Sequence, residues 1–176
     1  LHWTKFTDAN WTVDGQGFYY SRYPTPKPGD ELKGINENMK VYYHKLGTEQ
    51  SQDQLILERP DHPKWHMSVS PTEDGRYLIA YQTEGTEPKN RIWVKDLRRL
   101  GAGFKPLFDA FDAEYSVVDN EGPLFFVKTT HDAPRGRLVA VDLRRPQPEN
   151  TGVRGRHKAP AARQPRAAVQ GSSASA

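Results

Sequence analysis

The sequence contains no cysteine, which excludes disulfide bridges, thiolate metal sites and a cysteine nucleophile. It has no apolar run near the roughly 20 residues that a membrane-crossing helix needs. Hydrophobic residues are scarce, at 35% of 176, little for a compact globule. Uninterrupted helical stretches are missing too, because 14 glycines and 14 prolines punctuate the chain. Position 1 is Leu1 and the pattern opens midway, so an upstream segment is expected. The lack of a signal peptide therefore carries no information about compartment.

A strong charge bias is also missing from most of the chain. The isoelectric point near 9.1 suggests a nucleic-acid ligand, but the excess is local. Residues 151–176 hold five Lys or Arg and no acid, leaving 20 basic against 22 acidic residues in 1–150. The body thus carries no sign of a phosphate-backbone-binding face. The segment TGVRGRHKAPAARQPRAAVQGSSASA has no Leu, Ile, Phe, Tyr, Trp or Met. It cannot bury enough apolar surface to offset chain entropy, and disorder is expected there. Two origins are weighed, a natural basic linker and out-of-frame translation after Asn150; the abrupt change in composition favours the second.

What the chain does have is aromatic residues, at 11%, and a pattern that recurs. WTVDGQGFYY (11–20), SPTEDGRYLIAY (70–81) and SVVDNEGPLFFV (116–127) each read as a turn followed by a strand. They place Gly15, Gly75 and Gly122 in register, 60 and 47 residues apart, the first interval enlarged by an insertion at 24–38. Second strands KVYYHKLGT, RIWVKDLRR and RLVAVDLRR align without gaps and superpose Leu46, Leu97 and Leu143. Alternation is by two, with β-branched and aromatic residues dominant, which indicates strands. Asp-Gly supplies the positive φ that a two-residue hairpin loop demands. Further strands fit 53–59, 65–70, 104–111 and 113–118. The period matches a four-stranded propeller blade, and the chain reads as about three blades. Three blades cannot close a ring of about four to eight.

FTDANWTVDGQGFYYSRYP, VYYHKLGTEQSQDQLILERPDHPKW, DGRYLIAYQTEGTEPKNRIWVKDL and NEGPLFFVKTTHDAPRGRLVAVDL together resemble the propeller domain of the prolyl oligopeptidases, from about residue 3 to Asn150. The resemblance implies an all-β fold: part of a seven-bladed ring over residues 1–150, with the tail at 151–176 as a separate unit. It implies a parent serine peptidase that cleaves short peptides after proline. In such a protein an α/β-hydrolase domain carries Ser, His and Asp, and the propeller restricts access by longer chains. No G-x-S-x-G elbow occurs in this sequence, so no catalytic residue, no cofactor and no metal is assigned to it, and the chain by itself is expected to be inactive. The implied partners are that hydrolase domain and short proline-containing peptides, with no nucleic acid or membrane. The implied compartment is the cytoplasm, with the periplasm as the alternative. Phe6, in TKFT, matches a propeller aromatic that helps wall the substrate pocket; the competing reading is ordinary blade core. Thr83 stands where some members carry an arginine that contacts substrate upstream of the proline, a departure from the pattern. Two rival functions are kept: a non-enzymatic propeller scaffold, and a related peptidase cutting after basic residues.

Other constellations read more plainly. His62 and His66 have a metal-like spacing, but Pro63 speaks against a helix and no third ligand is evident. Asp109 and Asp112 are expected to cap turns. Asn10-Trp11-Thr12 satisfies a glycosylation sequon by chance agreement. The Arg pairs at 98–99 and 144–145 are expected to form solvated edges that discourage strand addition. Trp3, Trp11, Trp65 and Trp93 are expected to pack blade against blade.

Overall fold

A computed structural model describes residues 1–29 and 36–145. The chain is all-β. Among the described residues the only helical element is a three-residue 3-10 turn at Gln50–Gln52, and no helix is long and apolar enough to cross a membrane. Among the described residues, eleven antiparallel strands form three sheets in chain order. The first comprises β1 (Asn10–Trp11), β2 (Gly17–Arg22), β3 (Lys40–Lys45) and β4 (Gln54–Glu58). The second comprises β5 (Trp65–Pro71), β6 (Tyr77–Glu84), β7 (Asn90–Asp96) and β8 (Lys105–Phe108). The third comprises β9 (Tyr115–Glu121), β10 (Leu124–Thr129) and β11 (Arg137–Asp142). Each is a meander of neighbours, the architecture of propeller blades. The third blade has three strands among the described residues, and the segment 151–176 lies outside them.

The repeat inferred from sequence is visible in the backbone. The amides of Leu46, Leu97 and Leu143 donate to the carbonyls of Gln16, Arg76 and Pro123 at 2.9, 2.8 and 2.9 Å. In each blade, then, the end of the third strand is tied to the first hairpin loop. The bond is the same in all three, although the residues accepting it differ.

Two of the three loops differ from the two-residue hairpin expected of Asp-Gly. Residues 13–16 and 73–76 form four-residue loops, closed by bonds from Thr12 N to Gly17 O and from Thr72 N to Tyr77 O. Threonine is the cause. The Thr12 hydroxyl donates to Asp14 Oδ1 at 2.6 Å, and Asp14 accepts the Gln16 amide. Thr72 repeats this with Asp74 at 2.6 Å, Asp74 accepts Arg76 N, and Thr72 Oγ1 accepts Tyr77 N at 3.0 Å. Glycine then supplies φ of +65° and +64° at positions 15 and 75. In the third copy Asp119 replaces the threonine, and the loop contracts to Gly122-Pro123 between paired Glu121 and Leu124.

Two apolar layers lie between the blades. Tyr19, Val41 and Leu57 of the first blade meet Met67, Val69, Leu78 and Ala80 of the second. On the other side Tyr77, Ile79, Ile92 and Val94 meet Tyr115, Phe125, Val127, Val139 and Val141 of the third. Strand β6 therefore contributes alternate residues to both layers and is buried on both faces from Tyr77 to Ala80. Polar stitches accompany the apolar contact. Asn90 Nδ2 donates to Tyr115 O at 2.9 Å and its Oδ1 accepts Tyr115 N at 2.7 Å. Asn10 Nδ2 and Ser21 Oγ donate to the carbonyls of Val69 and Met67. Of the tryptophans, Trp65 is buried and Trp93 packs against the first layer, whereas Trp11 is half exposed. Blade packing thus accounts for only part of that set.

Candidate substrate-facing end of the blades

At the end of the second blade remote from the Thr72–Gly75 loop, three residues converge. The ring of Phe6 stacks on the imidazole of His66, centroids 6.1 Å apart and planes 26° from parallel. His66, on β5, is the direct cross-strand partner of Thr83 on β6. Phe6 is 76% exposed and does not belong to a blade core. Its backbone adopts φ +55°, a left-handed conformation that a bulky aromatic rarely takes. Holding it there costs on the order of 1–2 kcal/mol. The segment around it is tied down, since the Ser21 amide donates to Thr7 Oγ1 at 2.7 Å and Tyr23 N to Trp3 O. Trp3 shares the left-handed backbone, at φ +58°. An apolar ring is thus held out into solvent by a strained, anchored turn, a feature that clusters at ligand-contacting sites.

Beside this lies a layer of cations and aromatic rings. Trp65 is buried, with His62 stacked on it at 3.7 Å and Phe111 edge-on at 5.2 Å. The guanidinium groups of Arg59 and Arg91 lie 4.5 and 4.8 Å from its centroid, positions of favourable cation–π contact. Arg59 also donates to Gln82 Oε1 and pairs with Asp61, whose carboxyl that hydrogen bond holds down to about 2. The layer fixes the start of β5, and with it His66.

His62 and His66 therefore point to different partners, Trp65 and Phe6, and no group of three potential metal ligands occurs among the described residues. The two aspartates expected to cap turns bind side chains instead. Asp109 Oδ1 accepts the Trp93 indole N–H at 2.9 Å, and Asp112 accepts the Tyr115 hydroxyl at 2.9 Å. Both lie within reach of aromatic donors, the partly buried Trp93 and the buried Tyr115, and these take the bond that a loop amide was expected to supply. His66 was not assigned to the site from sequence. Counting outward from the Thr72–Tyr77 closure along β5 and β6 reaches the His66–Thr83 pair.

Comparison with known proteins agrees with this architecture. Residues 1–160 match the family model described as "Prolyl oligopeptidase, N-terminal beta-propeller domain". The chain is 34% identical to prolyl oligopeptidase A of Amanita bisporigera over 155 residues, 84% of this chain and 20% of that protein. It is 39% identical to prolyl endopeptidase of Elizabethkingia miricola over 145 residues, 82% of this chain and 20% of that protein. Its fold is similar to that of prolyl oligopeptidase B from Galerina marginata, solved bound to a 35mer hydrolysis and macrocyclization substrate. There the TM-score is 0.75 and the identity 33%, covering 81% of this chain and 20% of the other. These sheets are propeller blades, and the chain belongs to the prolyl oligopeptidase N-terminal β-propeller family. It spans about a fifth of the length of the relatives it matches.

Proposed function

We propose that this chain is the substrate-gating propeller portion of a serine endopeptidase that cleaves short peptides after proline. In this reading the bond-breaking groups lie on an α/β-hydrolase domain of the same parent, and residues 1–145 form part of the wall over it. The observation that carries the reading is Phe6, an exposed ring fixed by a left-handed backbone against His66, with Thr83 across the hairpin. An apolar face beside a small hydroxyl suits a substrate residue upstream of proline without demanding a charged partner. The same reading puts the parent in the cytoplasm and takes no cofactor.

The experiment has two arms. The purified chain is expected to release no chromophore from a prolyl-linked chromogenic peptide. Turnover above a buffer blank, abolished by a serine-directed inhibitor, overturns the assignment of chemistry to another domain. In the full-length parent, Phe6→Ala is expected to raise KM about ten-fold with kcat little changed, the pattern of lost uniform binding. An unchanged KM removes Phe6 from the site.

A further inference from the structure

We propose that the cleft between the second and third blades binds a compact phosphorylated small molecule, held by arginines that two copies of one Asp-Leu-Arg-Arg segment bring to it. The cleft is separate from the Phe6 end, since its lining includes Arg76, beside the Thr72–Gly75 loop, and Pro123 of the β9–β10 loop. Its volume of about 500 Å³ suits a small molecule rather than an extended chain.

Asp96-Leu97-Arg98-Arg99 ends β7 and Asp142-Leu143-Arg144-Arg145 ends β11. The fold places both on this cleft, except that Leu97 does not line it. With Arg76 and Lys105, six cationic side chains face two carboxylates, whereas residues 1–150 as a whole hold 20 basic against 22 acidic residues. Both carboxylates are engaged. Asp96 accepts Arg76 Nη2 at 3.0 Å and the Arg98 amide; Asp142 accepts Arg144 Nη2 at 2.7 Å and the Arg144 amide. Arg98, Arg99, Lys105 and Arg145 make no ion pair among the described residues. The sequence-based expectation of solvated strand edges misses this juxtaposition.

Uncompensated cations in a cleft raise the local concentration of anions. Guanidinium forks match phosphate oxygens in pairs, which favours phosphate. Arg76 joins them at the cleft wall, its guanidinium bonded to Asp96 and lying 4.8 Å from the centre of the Tyr77 ring. Val94, Leu107 and Pro123 give the cleft an apolar part for the remainder of the ligand.

The test is calorimetric titration of the whole chain with sodium tripolyphosphate at about 0.15 M salt, where surface attraction is screened beyond about 8 Å. Saturable binding to one site is expected, and its absence overturns the proposal. Arg98→Ala/Arg99→Ala/Arg145→Ala removes three exposed side chains and is expected to melt like the parent while binding at least ten-fold more weakly. Parent-like affinity overturns the proposal; should that variant not fold, Arg145→Ala alone is read the same way. Arg154→Ala/Arg156→Ala/Arg163→Ala, in the basic C-terminal segment, is expected to bind as the parent does, and an equal loss there overturns the assignment to the cleft. Citrate is expected to bind at least ten-fold more weakly than tripolyphosphate, and equal binding overturns the choice of phosphate.

Discussion

The imidazole of His44 donates from Nδ1 to Oδ1 of Asp53 at 2.7 Å, and the aspartate side chain is fully buried. The Tyr20 hydroxyl donates to the other carboxylate oxygen at 2.6 Å, and Gln50 donates to that hydroxyl at 3.2 Å. Gln50 in turn exchanges two hydrogen bonds with the backbone of His2. One carboxylate therefore joins β2, β3 and the amino-terminal segment.

Asp53→Ala leaves two donors without that acceptor, the hydroxyl of buried Tyr20 and the imidazole of partly buried His44. Each orphaned group costs about 1–3 kcal/mol, so the first blade should lose at least about 2 kcal/mol. Thermal unfolding followed by circular dichroism reads this directly, and an unchanged midpoint would show that the network contributes nothing.

Burial and the bond to Asp53 push the Tyr20 phenol up to about 12, from an ordinary value of 10. Because the folded value is raised, the stabilisation is fully present below pH 10 and is lost as pH climbs through about 12. Burial and the bond to Asp112 push the Tyr115 phenol higher still, so spectrophotometric titration should show more than one late-ionising tyrosine. Tyr20→Phe should remove one tyrosine's amplitude from the step near pH 12, and an undiminished amplitude would show that Tyr20 ionises elsewhere.

Gly17→Ala and Gly15→Ala should separate two reasons for glycine. A Cβ on Gly17 meets the His44 carbonyl oxygen and lies 2.6 Å from the Tyr43 hydroxyl, an overpacking that costs about 1–3 kcal/mol or more. At Gly15 the space is empty and only φ of +65° opposes a side chain, a cost of about 1–2 kcal/mol. Gly15→Asn should recover much of that loss, since Asn tolerates the left-handed region, while Gly17→Asn should recover none. Denaturant midpoints of the four variants decide it.

Thr72→Val keeps the shape of the side chain and removes the hydroxyl that bridges Asp74 and Tyr77 N. A loss of about 1–2 kcal/mol is expected. Hydrogen exchange at the Tyr77 amide should accelerate selectively, and a uniform change across the blade would refute the local assignment.

Strands were legible because alternation by two survives in every copy, and the aligned Leu46, Leu97 and Leu143 make equivalent bonds. Loop length was not, because Asp-Gly fits loops of two or four residues and the threonine two positions earlier selects between them. The proposed substrate-facing end was only half legible. Phe6 could be picked out by resemblance, but nothing in a phenylalanine announces positive φ. Its contact with His66 joins positions 60 residues apart, a separation without local signal. The Trp65 layer was hidden for the same reason, since Arg91 approaches it from β7 and Arg59 and Phe111 from two separate connections.

Strand β6 is hydrogen-bonded along both edges, and among the described residues it is the only strand whose buried residues join both inter-blade layers. Solvent deuterium can reach its amides only after a neighbouring blade has come away, whereas the margins of β4 and β11 breathe on their own. The middle of this chain thus keeps time for the opening of the whole array, and the exchange lifetime of β6 measures how long the blades stay together.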